Sequence, residues 1–226
     1  MKSEVSRERL RGLYAITPES GDTRELVVRV EQCLAGGAAL IQYRAKNADP
    51  SLALEQARAL AAACRKARVP LIINDSVELA LAVEADGVHV GRDDIDVRRA
   101  RAALPHGIVG ASCYDDPQLA RAAAAAGADY VAIGSIFASG TKPDARRASL
   151  ETLAAAKRVS GLPVAAIGGV TLDNAGSAVR AGADLLAVIA AVFDAPDVEQ
   201  AARSFARFFE TATPANTHVR TQPRAL

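Results

Sequence analysis

Residues 127–133 read Gly127-Ala128-Asp129-Tyr130-Val131-Ala132-Ile133, and residues 182–189 read Gly182-Ala183-Asp184-Leu185-Leu186-Ala187-Val188-Ile189. In each, a glycine suited to the position just past a helix is followed by a short apolar, β-prone run. Related junctions stand at Gly37-Ala38, before Leu40 to Tyr43, and at Ala85-Asp86-Gly87, before Val88 to Val90. One helix-to-strand unit is being used repeatedly.

Working outward from these junctions, eight apolar runs predict strands: Leu13 to Ile16, Leu40 to Tyr43, Leu71 to Ile73, Val88 to Val90, Ile108 to Gly110, Tyr130 to Ile133, Val164 to Ile167 and Leu185 to Ile189. Between them, charges recur at helical spacing in Ala- and Leu-rich stretches. These predict helices over Thr23 to Ala35, Leu52 to Ala67, Val77 to Val83, Val97 to Leu104, Pro117 to Ala126, Leu150 to Ser160, Asn174 to Ala181 and Val198 to Glu210. Ser51, Ser76, Asp96, Asp116 and Asp197 are the expected N-caps. Eight βα units with short connections predict a single (β/α)8 TIM barrel. The alternative, an open doubly wound sheet, more often carries a G-x-G-x-x-G turn after its first strand, and none is present. Past Glu210 the chain turns to Thr, Pro, Asn and Arg without periodicity. Residues 1–211 are therefore read as one catalytic domain and 212–226 as a disordered tail.

A chain of 226 residues is near the lower limit for one such barrel. Half of it is hydrophobic, yet aromatics make up 4% and Trp is absent, so Ala, Val, Leu and Ile must build the core. A net charge of +1 provides no long-range field for nucleic acid or an anionic membrane, and any anion must be held locally. Cys33, Cys64 and Cys113 have neither disulfide nor zinc spacing and read as reduced thiols. Met1 to Arg11 is charged, and no apolar run approaches the roughly 18 residues of a spanning helix. The expectation is a soluble cytoplasmic protein with small-molecule partners and neither nucleic acid nor membrane. A homo-oligomer is compatible with the sequence, as is a monomer.

In a barrel the chemistry sits where strands end, so the polar residues after each apolar run are the candidates. Gln42, Arg44 and Lys46 alternate in Gln42-Tyr43-Arg44-Ala45-Lys46, which on an extended segment puts an amide and two cations on one face, suited to a pyrophosphate. Asn74-Asp75 follows the third run and Arg92-Asp93-Asp94 the fourth. Asp75 and Asp94, at the tips of adjacent strands, suit a hard cation such as Mg2+ that bridges carboxylate to phosphate. Either aspartate alone would more readily be read as the cap of the next helix. His89, out of step with Val88 and Val90, reads as a hydrogen-bonded structural residue and is assigned no catalysis. Ser112 offers a hydroxyl at the end of the fifth run. Gly134 to Pro143, with Ser139, Gly140, Thr141 and Lys142, makes an anion cradle unlike a Walker A loop. Gly168-Gly169 after the seventh run, with Ile189-Ala190 leading into a short helix, is the usual barrel phosphate site. Two anion sites are thus indicated, and a single-phosphate isomerase or aldolase would need only the second.

The ordered set Gln42-x-Arg44-x-Lys46, Asn74-Asp75, Gly87-Val88-His89-Val90-Gly91-x-x-Asp94, Ser112, Ser139-Gly140-Thr141-Lys142 and Ile167-Gly168-Gly169 resembles thiamine phosphate synthase, from Leu13 to Phe209. The resemblance implies a transferase that joins 4-amino-5-hydroxymethyl-2-methylpyrimidine diphosphate to 4-methyl-5-(2-phosphooxyethyl)thiazole, with loss of pyrophosphate and a dissociative, Mg2+-assisted mechanism. It implies that Asp75 and Asp94 hold Mg2+, that Arg44, Lys46, Asn74 and Lys142 grip the diphosphate, and that Gln42 and Ser112 face the pyrimidine and leaving group. Arg44, Lys46, Ser112 and Lys142 are then the catalytic set. Ser139, Thr141, Gly169 and the Ile189-Ala190 backbone would hold the thiazole phosphate. Two departures bear on that last subsite: Ala138-Ser139 stands where the family usually has Pro-Thr, and Ala190 where it often has Ser. A related thiazole tautomerase branch depends on a His where this chain has Tyr114. The tautomerase and a non-catalytic phosphate-binding regulator are the competing readings.

Overall fold

A four-residue apolar strand carries unpaired backbone N–H and C=O groups along both edges and apolar side chains on both faces, so it persists only between two neighbours and beneath a layer of helices. The computed structural model, which describes residues 10–92, 94–138 and 147–210, meets that condition for every run. β1 (Gly12–Ile16), β2 (Leu40–Tyr43), β3 (Leu71–Asn74), β4 (Gly87–Val90), β5 (Ile108–Tyr114), β6 (Tyr130–Ile133), β7 (Val164–Ile167) and β8 (Leu185–Val188) form a closed parallel barrel in sequence order. Closure comes from β1 beside β8, with Gly12 opposite Leu185 and Ala15 opposite Val188. The expected tail, 212–226, lies outside the described residues, as do Ser139, Thr141 and Lys142.

Around the barrel run α1 (Thr23–Ala35), α2 (Pro50–Ala67), α3 (Val77–Ala82), α4 (Val97–Ala103), α5 (Pro117–Ala125), α6 (Leu150–Ser160), α7 (Leu172–Arg180) and α9 (Val198–Ala206), with the short α8 (Ala190–Phe193) between β8 and α9. Their buried stripes follow helical spacing with small residues, as in Ala120 and Ala123 of α5 or Ala175 and Ala178 of α7. Small contact residues let the helices lie close on the sheet.

The repeated junction has one physical basis. Past α1, α5 and α7, the glycines Gly37, Gly127 and Gly182 take positive φ of 92°, 99° and 107°. In each case the glycine N–H and the next one bond back into the last turn: Gly127 to Ala124 at 3.1 Å and Ala128 to Ala123 at 3.0 Å, Gly182 to Val179 at 2.9 Å and Ala183 to Ala178 at 3.0 Å. At the fourth echo the left-handed residue is Glu84, at φ 53°, and not Gly87. Gly87 instead opens β4, where a Cβ would lie 2.0 Å from the Ile108 carbonyl oxygen. The aspartates complete the junction: Asp86, Asp129 and Asp184 accept from an N–H at the start of the preceding strand, at Leu71 (2.9 Å), Val109 (2.9 Å) and Val164 (3.0 Å). Asp129 also pairs with Arg101, and Asp184 with Lys157 at 2.8 Å.

Several boundaries differ from the sequence reading. Asp49, not Ser51, caps α2; its carboxylate accepts from Ser51 N and Leu52 N, and Pro50 occupies the first turn without needing a donor. Helix α7 starts at Leu172 because Asn174 turns its carbonyl back to the Thr171 N–H at 2.9 Å. The last helix gives way at Arg207–Phe209 to a 3-10 turn. β5 extends to Tyr114 through a register shift between Ser112 and Tyr114, so Ser112 lies inside the strand. β8 stops at Val188, leaving Ile189 as the N-cap residue between β8 and α8.

Asp184→Ala removes the acceptor of a strand N–H and the partner of Lys157 at the end of the barrel opposite the strand C-termini. It should cost about 1–3 kcal/mol in urea denaturation with an unchanged m-value.

Candidate functional site

The barrel interior is apolar at its base, where Leu40, Ile72, Ile108, Ala165 and Leu185 meet. Above them stands a buried polar layer. Tyr14 and Tyr130 approach edge to face, with ring centroids 5.6 Å apart and hydroxyls 2.6 Å apart. Gln42 Nε2 donates to the Tyr14 hydroxyl. His89 Nδ1 lies 3.0 Å from the Tyr130 hydroxyl and Nε2 lies 2.9 Å from Ser112 Oγ. Tyr130 reaches across only because Gly110 faces it: a Cβ there would lie 2.1 Å from Tyr130 Cζ. Burial raises both phenols well above their ordinary value and pushes the His89 imidazole down to about 4, with the Asp94 charge opposing that fall. The phenols therefore keep their protons, and His89 is neutral at pH 7 and hydrogen-bonded, as its position in the sequence suggested.

At the mouth, β2 ends at Tyr43, so Arg44 and Lys46 stand on a loop and not on one strand face. A residue that the sequence reading passed over shapes that loop: Glu19 accepts from the Lys46 N–H at 2.9 Å and the Asn47 N–H at 3.5 Å and pairs with Arg44 Nη1 at 3.5 Å. The fully buried Thr17 hydroxyl accepts from the Arg44 N–H at 3.0 Å. Lys46 Nζ turns sideways to Asp75 Oδ2 at 3.2 Å. Asn74 ends β3. Asp75 follows at φ 65°, a left-handed conformation costing about 1–2 kcal/mol for an ordinary residue but tolerated by Asp, and is held there by its N–H donating to the His89 carbonyl at 2.8 Å. Beside this loop a hollow of about 430 Å3 is walled by Tyr43, Ile73 and Leu79 and edged by Lys46, Asn74 and Asp75. Tyr43 and Ile73 belong to the sheet–helix layer, so this hollow flanks the barrel mouth.

Asp75 and Asp94 meet as expected. Burial, together with contact with the Asp94 carboxyl, raises the Asp75 carboxyl above its ordinary value, while Lys46 pulls it back. Asp94 Oδ2 accepts from the Gly91 N–H at 2.7 Å. The Asp94 loop is clamped by Tyr114, whose hydroxyl accepts from the Arg92 N–H at 3.0 Å and whose ring lies 4.6 Å below the Arg92 guanidinium. Among the described residues no group of three His, Cys, Asp or Glu could hold a metal. Two adjacent carboxylates do fit Mg2+, which takes one or two protein carboxylates and fills its octahedron with water and substrate phosphate.

The second anion site is less open than the sequence suggests. Gly169 has φ 62°, and a Cβ there would lie 2.1 Å from the Ala138 carbonyl oxygen, so glycine is demanded by the neighbouring loop backbone. Ile189 and Ala190 stand at the start of α8, at the end of the adjacent strand. No signal in the sequence marks Tyr14, Tyr130, Thr17 or Glu19, because their roles depend on partners at least 25 residues away.

A family model described as thiamine monophosphate synthase matches residues 13–192. The thiamine-phosphate synthase of Aromatoleum aromaticum is 55% identical over 203 residues, covering 89% of this chain and 98% of that protein. The thiamine-phosphate synthase of Methylobacillus flagellatus is 54% identical over 201 residues, covering 88% and 96%. Among solved structures, the thiamine phosphate pyrophosphorylase from Pyrococcus furiosus superposes with a TM-score of 0.81 at 37% identity, covering 90% of this chain and 97% of its own.

The depressed His89 pKa carries a stability prediction. As pH falls from about 6.5 to about 4, the unfolded chain binds the imidazole proton and the folded chain does not, so stability is present above this window and lost within it. The loss attributable to His89 should approach roughly 3 kcal/mol. Denaturant midpoints between pH 7 and pH 4, compared with those of His89→Asn, should show a flatter profile in the variant.

Proposed function

The chain belongs to the thiamine monophosphate synthase family, and from that premise we propose how its residues divide the work. Its activity is thiamine-phosphate synthesis, a transfer reaction on small-molecule substrates. The observation that carries the proposal is the meeting of Lys46, Asp75 and Asp94 at one edge of the mouth, with Asn74 beside Asp75 and Arg44 on the same loop as Lys46, above a polar floor running from Gln42 to Ser112.

In this reading Arg44, Lys46 and Asn74 hold the diphosphate of the aminopyrimidine, and Lys142 adds a further cation from a segment outside the described residues. Asp75 and Asp94 hold Mg2+, whose charge, when bound, offsets that of the departing pyrophosphate. Arg44 and Lys46 already have carboxylate partners in Glu19 and Asp75, so a diphosphate competes for cations that are held in place. Positioned charge of this kind stabilises a leaving group as it forms, and no protein nucleophile is required. Gln42 and Ser112 orient the pyrimidine, whose stabilised cation is captured by the thiazole nitrogen. The thiazole phosphate sits near Ile189, Ala190 and the Gly169 loop, with Ser139 and Thr141.

The tautomerase reading needs a histidine at position 114. Here Tyr114 is committed to the Arg92 N–H and guanidinium, which supports the synthase. We also place the protein in the cytoplasm, a reading that the three buried free thiols support. Among the described residues, no helix is long and apolar enough to cross a membrane.

Asp75→Ala and Asp94→Ala should each abolish most turnover with an unchanged circular dichroism spectrum, and excess EDTA should do the same to the unmodified enzyme, read as thiochrome fluorescence after phosphatase treatment. Arg44→Ala should lower kcat/KM by the equivalent of about 2–4 kcal/mol. Glu19→Ala, which frees the loop without touching substrate, should cost about 1–2 kcal/mol. Full turnover in EDTA would remove the metal from the proposal.

A further inference from the structure

The polar floor contains more hydrogen-bonding groups than the family reading uses, and their donors and acceptors can be counted. Gln42 presents its amide nitrogen to Tyr14, so the Tyr14 oxygen accepts. The Tyr14 hydroxyl has a single proton, and the Tyr130 oxygen lies 2.6 Å away to receive it. Tyr130, having accepted, has its own proton to give, and His89 Nδ1 lies at 3.0 Å. A neutral imidazole that accepts at Nδ1 carries its hydrogen on Nε2, which faces Ser112 Oγ at 2.9 Å. Ser112 Oγ therefore accepts from below, and its own hydrogen is left for the barrel mouth. Tyr14, Tyr130, Gln42 and His89 are all buried, and among the described residues no buried side-chain nitrogen or oxygen lacks a partner. Each link therefore constrains the next.

We infer that Gln42, Tyr14, Tyr130, His89 and Ser112 form a one-way hydrogen-bond wire, in which Tyr14, Tyr130 and His89 are positioning residues that turn the Gln42 carbonyl oxygen and the Ser112 hydroxyl hydrogen toward the substrate. The ring bound above the wire must then offer a donor to Gln42 and an acceptor to Ser112. An aminopyrimidine does both, through its exocyclic amine and a ring nitrogen. The inference rests on the reading of Gln42 and Ser112 as pyrimidine contacts. It adds that their polarity is set by three residues that need not touch the substrate.

Two measurements on the full chain test it. Long-range nitrogen–proton NMR of the labelled protein resolves the tautomers of its three histidines, and His89→Asn identifies the relevant signal. The wire requires His89 to be protonated on Nε2 alone. Protonation on Nδ1, or on both nitrogens at neutral pH, would overturn it. The second measurement compares the pyrimidine diphosphate with its analogue lacking the amino group. The wild type should discriminate against the analogue by at least about tenfold in Kd, measured without the thiazole phosphate so that the amine's electronic part in ionisation does not enter, as expected for a site left with an unpaired acceptor. Tyr130→Phe cuts the wire in the middle and frees Gln42 to turn. It should reduce that ratio to within about threefold while inhibition by inorganic pyrophosphate stays within about twofold. A merely structural role would weaken the binding of both compounds together and leave the ratio intact, and that result would overturn the inference. Should Tyr130→Phe fail to fold, Tyr14→Phe breaks the adjacent link and is read in the same way. If the wild type makes no thiamine phosphate, the functional reading fails on its own, and the His89 tautomer still decides the wire.

Discussion

The hydroxyl of Tyr130 is the point on which the rest of the interior depends. A closed eight-stranded barrel leaves a narrow central space that side chains must fill. This chain has few large residues for the purpose, and two of its four tyrosines, Tyr14 and Tyr130, occupy it. The absence of a Cβ at Gly110 is the matching void on the neighbouring strand. A buried phenol needs hydrogen-bond partners, because leaving it unpaired costs on the order of 1–3 kcal/mol. Tyr14 supplies one, and His89 from β4 supplies another. A packing requirement has thereby become a polar layer beneath the substrate.

That layer also separates two environments. Below it the barrel is apolar and closed. Above it the strand ends carry cations and carboxylates, and with a net charge of only +1 on the whole chain, anion binding is local. Backbone geometry contributes as much as side-chain type: Asp75 and Tyr114 both adopt positive φ, at 65° and 53°, where β3 ends and β5 shifts register. The first brings a carboxyl toward Asp94, and the second places a phenol under the loop that carries Asp94. Glu19 does for the Arg44–Lys46 loop what Tyr114 does for the Asp94 loop.

Helices α1 and α6 begin and end where helical spacing placed them, since good caps and a clear stripe act locally. Ser51 reads as the cap of α2, but Asp49, two residues earlier, accepts from the Ser51 and Leu52 N–H groups and carries a charge that the helix N-terminus favours. Gly87 looked like a helix terminator. Its actual constraint is lateral, the Ile108 carbonyl of the next strand, and lateral contacts leave no mark on neighbouring sequence. Gly169 is similar: it looked like space for a phosphate, and its Cβ position is taken by the Phe137–Ala138 backbone.

The order and number of the βα units, the junction glycines and aspartates, and the polar residues at strand ends were all determined by sequence alone, because each depends on the residues within a few places of it. Folding decided which of those residues meet. The Asp75–Asp94 contact, the diversion of Lys46 from the β2 face to Asp75, the Glu19 anchor and the chain from Gln42 to Ser112 join segments on different strands. Their existence depends on barrel closure and on the stagger of adjacent strands. Neither is encoded in any local pattern; both arise from the need to pair every strand edge and fill the space the strands enclose.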